Sequence, residues 1–448
     1  MLPTKIRKLY LPNFQQFRGC IVDLTDKDGR AADRICLIGR NGTGKSTLLR
    51  LLDAFLRNNE LPAGIGLEVE RDGRRIFLPG PGTTFQTSSL DFTGVQIDHQ
   101  ALLACDSIDA IMRRLSSAGA VEYLWDDSEH HSSGEELVAY CPADPARGTP
   151  SIDGDGHPRT NLNAVLKLFA TRLPFYHEIS DVRVADMWKI LVFLVKKRES
   201  DRQSFETRPE SLQKTKAQLI AEFDATNPPV LEGLGALWNR ILEPAGLELD
   251  IEGAKLPVQL TDNLEAYIRL RGSKQRIPYS ALSTGIRNFL FRIGHLFLLY
   301  FNRKIDPGFV LIDEPENSLF PDFLFDLMNV YEEILRDRSG RTSTQLIVAT
   351  HSPIVAAQFE PDERIVLEWT ADATVTAGKG TAPKGDDPND LLRKDFHLGE
   401  LMGPEGVRNW QQYLDLRRRI RHTTEAEKPA LVAQALEIAE RYGFEPPK

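Results

Sequence analysis

Apolar and polar residues alternate over positions 5–24, where Ile6, Leu9 and Leu11 are followed by Ile21, Val22 and Leu24, and a short apolar run from Ile35 to Ile38 stops at Gly39. A period of two marks strands buried on one face, so the chain is predicted to open with strands that lead into a glycine turn. After Lys45 the period lengthens. Leu48, Leu49, Leu51, Leu52, Phe55 and Leu56 cluster as a helix does, until Asn58-Asn-Glu-Leu-Pro62 supplies a stop. From about residue 80 to 230, turn-rich stretches at 79–89, 126–134 and 142–158 separate helices predicted at 162–172, 182–199 and 208–224. None sustains a heptad, which disfavours a long coiled-coil arm. Strand patterns return at 247–251, 256–260 and 266–271, with Arg271-Gly-Ser-Lys274 as a hairpin turn, and a helix is predicted from Thr284 to Asn302. Strand 309–312, a helix beginning near Pro321, and strands 345–349 and 364–368 complete an α/β alternation. That alternation predicts a mainly parallel sheet covered by helices.

Five regions follow. Residues 1–80 and 246–370 are predicted to be two lobes of one α/β head. Residues 81–245 read as an inserted, mostly helical lateral domain. The Gly/Thr/Pro/Asp-rich stretch 371–388 reads as a linker, and 389–448 as a small helical C-terminal docking domain with helices at Arg408–Arg421 and Glu425–Arg441.

Composition narrows the class. Of 448 residues, 41% are hydrophobic and 27% charged, the usage of a globular protein rather than a disordered one. The net charge of −9 excludes a global basic field, leaving nucleic-acid binding to a local patch such as Arg417-Arg-Arg-Ile-Arg421, whose ordinary reading is a solvated helix face. The four cysteines, Cys20, Cys36, Cys105 and Cys141, show neither metal-knuckle nor disulfide spacing, and fit a reducing cytoplasm. Phe289–Phe301 is too short to span a bilayer and is interrupted by Arg292 and His295, so no membrane insertion is expected. His130-His131 lacks a spaced third ligand and reads as a surface loop.

The strongest chemical signal is Gly39-Arg-Asn41-Gly42-Thr43-Gly44-Lys45-Ser46, a complete G-x-x-x-x-G-K-[ST] placed between an apolar strand and an amphipathic helix. In that context backbone N–H groups of Asn41 to Gly44 turn toward phosphates and the helix N-terminus adds its dipole. Lys45 neutralises the β/γ oxygens, Ser46 ligates Mg²⁺ and Thr47 supports the α-phosphate. A second element, Phe309-Val-Leu-Ile-Asp313-Glu314, ends an apolar strand in two acids. Parallel strands present their C-terminal ends to the ligand crevice, which suits Asp313 to the Mg²⁺ shell and Glu314 to polarising the attacking water. His351, just past strand 345–349, is a candidate γ-phosphate sensor. Ser283 and Gly285 open the helix at Thr284 as an anion-binding tip, where the plainer reading is an N-cap.

In this order, phosphate loop, Leu282-Ser-Thr-Gly285, Asp313-Glu314 and His351 resemble the ABC-type ATPase heads of the SMC, Rad50 and RecF group, over roughly residues 1–60 and 265–368. The run Asp313-Glu-Pro-Glu-Asn-Ser-Leu-Phe-Pro321 with Ala349-Thr-His-Ser-Pro353 is closer to OLD-like ATPases of the AAA15/AAA21 kind. The resemblance implies a P-loop ABC-ATPase head with N-terminal antiparallel strands beside the parallel sheet. It implies ATP and Mg²⁺ as cofactors, and a head-to-tail homodimer, or an oligomer of such dimers, in which Ser283 and Gly285 of one copy close on the γ-phosphate held by Lys45 of the other. Thr284 and Ile286 depart from that group's usual signature, where Gly and Gln or Glu are common. The glutamine loop of such heads has no clear counterpart; Gln86 and Gln96 are the candidates.

The C-terminal region lacks the clustered acids of a Toprim nuclease, so no built-in nuclease is expected. The leading expectation is the ATPase subunit of an anti-phage defence system of the Septu or PARIS type, acting as sensor or scaffold for a separate HNH or Toprim nuclease. The alternatives are a RecF-like or Rad50-like ATP-dependent DNA clamp and a non-hydrolysing nucleotide scaffold.

Overall fold

The computed structural model describes residues 4–80, 104, 110, 137–143, 176–179, 184–251 and 268–444, apart from short stretches at 59–60, 72–73, 212, 278–280, 304–307, 337–342, 400–401 and 425–426. The chain divides into two compact units, Met1–Gly385 and Asp386–Lys448.

The first unit is built on a mixed sheet. Strands β1 (Lys5–Phe14) and β2 (Phe17–Asp23) form an antiparallel hairpin, and β3 (Arg34–Gly39) runs through the glycine loop into α1 (Lys45–Asn58). Then come β4 (Gly66–Arg71), β5 (Arg74–Pro79), β6 (Leu137–Cys141), β7 (Tyr176–Glu178) and helices α2 (Val184–Glu206), α3 (Lys216–Thr226) and α4 (Val230–Leu242). Strands β8 (Leu247–Leu249), β9 (Ile268–Leu270) and β10 (Arg276–Ile277) pair as a small antiparallel sheet. Helix α5 (Thr284–Arg303), β11 (Gly308–Asp313), α6 (Pro321–Leu324), α7 (Leu327–Leu335), β12 (Gln345–Ala349), α8 (Pro353–Ala356), β13 (Arg364–Trp369) and β14 (Val375–Lys379) complete the unit.

Among the described residues the central sheet has eleven strands in the order β5-β4-β1-β2-β14-β13-β3-β12-β11-β6-β7. From β13 to β7 every pairing is parallel, while β5, β4, β1 and β2 form an antiparallel wing. On one face of the sheet Leu48, Leu49, Leu51 and Leu52 of α1 pack on Ile35, Leu37, Leu311, Ile347, Ile365 and Leu367. The intervening Val310, Ile312, Leu346 and Val348 are buried too. Burial on both faces is why these strands read as continuous apolar runs, and alternation survives only in the wing. Helix α5 packs against α2, α4 and α7.

Several expectations need correction. The stretch read as a linker, 371–388, contains β14, which pairs antiparallel with β13 and joins β2 through the register Val375↔Phe17. Its Gly/Thr-rich composition hides a short strand that sends only Val375 and Ala377 to the core. The range 81–245 is not wholly lateral, because β6 and β7 belong to the central sheet; Leu137–Cys141 is a buried five-residue run too short to stand out beside turn-rich sequence. Strands β4 and β5 were not anticipated. The helix predicted over 208–224 is broken by a 3₁₀ turn at Pro209–Ser211 and restarts at a capping box, where Thr215 and Gln218 exchange side chain and backbone hydrogen bonds. Predicted segments 162–172 and 256–260, together with Gln86, Gln96 and His130-His131, lie outside the described residues.

The second unit contains α9 (Pro388–Lys394), α10 (Pro404–His422) and α11 (Lys428–Tyr442). Tyr413, Leu416 and Ile420 of α10 pack on Leu431, Ala435 and Ala439 of α11, and Trp410 meets Phe444 edge-on at 4.8 Å between centroids. No described helix is long and apolar enough to cross a membrane.

Candidate functional site

Parallel register gathers the chemistry at one edge of the sheet. Asp313 lies opposite Ala349, Ala349 opposite Leu37, and Leu367 opposite Gly39, so the C-terminal ends of β11, β12, β3 and β13 open side by side. Gly39 leaves β3 at φ 148°, and a Cβ there would overlap the carbonyl of Leu367; only glycine lets the loop turn so close to β13. Thr43 is buried, and its hydroxyl donates to the Arg40 carbonyl at 2.8 Å, closing the loop on itself. The β1–β2 turn braces it from outside, with Gln16 Nε2 donating to Gly42 O at 3.5 Å. Asn41 and Gly42 face solvent, and Thr47 is half-buried on the first turn of α1.

Lys45 is only 5% exposed. Its Nζ donates to Gly39 O at 2.8 Å and Arg40 O at 3.2 Å, and lies 3.3 Å from His351 Nδ1. Burial pulls the Lys45 pKa down to about 8, against the opposing pull of Asp313, Glu314 and Glu316. Since an ammonium can only donate, Nδ1 of His351 accepts and Nε2 carries the ring hydrogen. Burial first, and the Lys45 charge second, depress the His351 pKa, so the ring is neutral at neutral pH. Its Nε2 stands 3.7 Å from Glu314 Oε1.

Ser46 Oγ donates to Asp313 Oδ1 at 3.1 Å. Hydroxyl and carboxylate are the hard oxygen donors that Mg²⁺ takes alongside phosphate and water, so Ser46 and Asp313 suit that ion. Burial raises the Asp313 pKa, opposed by the Ser46 hydrogen bond. Glu314 is half-buried, in the left-handed region at φ 47°, with its N–H donating to Ala349 O at 2.8 Å and its carbonyl accepting from Arg292 Nη1 at 3.0 Å. The edge around the phosphate loop thus gathers an ammonium, a neutral imidazole, a hydroxyl and the two acids Asp313 and Glu314.

The structure thus brings Lys45, Ser46, Asp313, Glu314 and His351 together. Ser283 caps α5 by accepting from Ile286 N at 3.4 Å and is exposed. Gly285 is buried against the segment after Glu314, where a methyl would overlap the Ser318 carbonyl. Within one chain the tip of α5 thus packs on the loop that carries the acids.

Two side chains that brace the site were missed. Glu316 Oε1 accepts from Thr350 Oγ1 at 2.6 Å, His351 N at 2.8 Å and Ser352 N at 3.1 Å, and so fixes the turn presenting His351. A third acid right after the strand-end pair was the available signal. Arg292 was noted only as an interruption of an apolar helix, although a lone cation there must find buried partners.

The model of a family described as "AAA ATPase domain" matches residues 5–109 and 174–356, well over half the chain and inclusive of the phosphate loop, Asp313-Glu314 and His351. No curated protein matches. Among solved structures, one titled "Crystal structure of the SmcHead bound to the C-winged helix domain of ScpA" aligns at 14% identity with a TM-score of 0.34, covering 84% of this chain and 98% of that one. The phosphate loop, the paired acids and the histidine beyond them lie within the matched residues, and the chain belongs to the AAA ATPase domain family.

Proposed function

We propose that this ATPase hydrolyses MgATP through Glu314 acting on water, with Lys45 and His351 on the γ-phosphate, Ser46 and Asp313 on Mg²⁺, and Ser283 and Gly285 of a second copy completing the site. The observation that carries this reading is the pair of contacts Ser46–Asp313 and Lys45–His351–Glu314, side by side at one edge of the sheet. Phe320 and Phe325, exposed at 64% and 60% on the segment that follows the acids, support the second copy, which would cover them.

Glu314 contributes as a general base, an effect of about 10²–10⁴-fold. The test is turnover by wild type and Glu314→Gln, with native mass measurements in ATP. Glu314→Gln is expected to lose turnover, keep ATP and accumulate as a dimer; full-rate hydrolysis without change in assembly refutes the role.

The wider role in this proposal is the sensor or scaffold subunit of an anti-phage complex that controls a separate HNH or Toprim nuclease, working in the cytoplasm. The run Asp313–Pro321 supports it, as does the C-terminal helical unit as a docking module. Differential affinity of ATP for the assembled state would drive the switch. Purification of the tagged protein with its genomic neighbours, followed by mass spectrometry, tests it: co-purification of a nuclease is expected, and recovery of only replication or recombination proteins refutes it.

A further inference from the structure

We infer that Arg292 is a positioning residue for Glu314, tying the general base to the helix capped by Ser283 and to the end of β6; this rests on the hydrolytic role proposed for Glu314. Arg292 lies on α5 and is 2% exposed. Its guanidinium donates from Nη1 to Glu314 O at 3.0 Å and from Nη2 to the carbonyls of Pro142, at 2.5 Å, and Ala143, at 3.0 Å. Asn317 Nδ2 donates to the same Ala143 carbonyl at 3.0 Å. Three hydrogen bonds, two from Arg292 Nη2 and one from Asn317 Nδ2, therefore converge on the two residues that follow β6.

The need for such a clamp lies in the backbone. A non-glycine residue at φ 47° is uncommon and persists only where its surroundings hold it. Glu314 is held on both sides, by its N–H on Ala349 O and by its carbonyl on Arg292. Arg is suited to the task because its planar fork serves several carbonyls at once in fixed geometry, whereas a lysine ammonium is a point donor on a flexible stem. The guanidinium charge also helps keep the Asp313 pKa from rising further. Since the same fork holds Pro142 and Ala143, a displacement of the chain where it leaves β6 is passed to the carbonyl of Glu314. The contacts of Lys45 with Gly39, Arg40 and His351 do not involve Arg292.

A split between binding and turnover is the expected result. Arg292→Met should lower kcat about 10²-fold, the scale of a misplacement of about 1 Å, with the ATP Kd held within about threefold. Arg292→Lys should recover part of the loss. In the Glu314→Gln background, Arg292→Met should cost little more, because its effect passes through the side chain already removed; independent, multiplying losses in this double-mutant cycle overturn the inference. Hydrogen exchange over 313–318 reads the clamp without any catalysis: it should quicken in Arg292→Met, and unchanged protection there overturns the inference even if the Glu314 reading stands. Conversely, wild-type turnover by Glu314→Gln with quickened exchange in Arg292→Met would discard the general base and keep the clamp. Asn317→Ala, which removes a lesser tie and leaves the buried cation in place, guards against a variant that fails to fold and should give a smaller loss of the same kind.

Discussion

Replacing Glu316 by alanine removes one oxygen shared by three donors. Ser352 N has a second acceptor in Thr350 Oγ1 at 2.9 Å, which leaves the Thr350 hydroxyl and the His351 amide without their partner. Each orphaned donor costs about 1–3 kcal/mol, so Glu316→Ala should lose about 2–6 kcal/mol, a large part of an ordinary domain's stability. Glu316→Gln keeps an acceptor at Oε1 and should lose far less. The carboxylate has an opposite effect of its own. Burial raises its pKa above the ordinary 4.5, against the hydrogen bond from Thr350. The unfolded chain therefore releases this proton first as pH rises. Stability from this group then falls through the window above 4.5 and is level below it, so Glu316→Gln should gain on wild type between pH 5 and pH 8. Urea midpoints of the three nucleotide-free proteins at both pH values measure this. Equal midpoints for the Ala and Gln variants, or a Gln-to-wild-type difference that ignores pH, would refute the reasoning.

Four further outcomes are expected. Lys45→Ala should abolish ATP binding by calorimetry, since the loop loses its only ammonium. In wild type the ATP Kd should be steady below pH 8 and rise toward tenfold per pH unit above it, because the ammonium is the form that pairs with phosphate and its pKa in the free site is about 8; a flat profile to pH 9.5 would contradict this. Gly285→Ala should cost about 1–3 kcal/mol in the nucleotide-free protein through overlap with Ser318, whereas Ser283→Gly at the exposed cap should cost a few tenths; urea midpoints separate the two. Changing both Phe320 and Phe325 to serine should weaken the ATP-dependent dimer, at about 1.5–3 kcal/mol for each phenyl ring it buries, without lowering the urea midpoint of the monomer. Monomer–dimer ratios by analytical sedimentation in ATP that do not change would count against that face.

What could be read in the chain was local and uninterrupted. Gly39–Ser46 carries its meaning in adjacent residues, and the strands ending at Gly39, Asp313 and Ala349 are apolar because both faces are covered, so motif and context agreed. Alternation revealed β1 and β2 but not β4 and β5, whose charged Glu68, Glu70, Arg71, Arg74 and Arg75 mask the pattern. Glu68 is nonetheless buried, bound by Arg7 at 2.9 Å and Tyr10 at 2.7 Å, a pairing between strands that no single stretch of sequence discloses. Arg292 was invisible as a site residue for the same reason, since its partners lie 22 and about 150 positions away.

The strand hidden in 375–379 decides where this protein can be cut. Because β14 sits between β2 and β13, it is a keystone and not a trailing edge: Val375 N donates to Gln16 O at 2.9 Å on one side while Lys379 to Val375 zip along β13 on the other. A truncation at 370 would therefore split the sheet through its middle, parting the hairpin that steadies Gly42 from the strands that bear Asp313 and His351, and would bare two sticky margins at once. Trimming after 385 spares that seam.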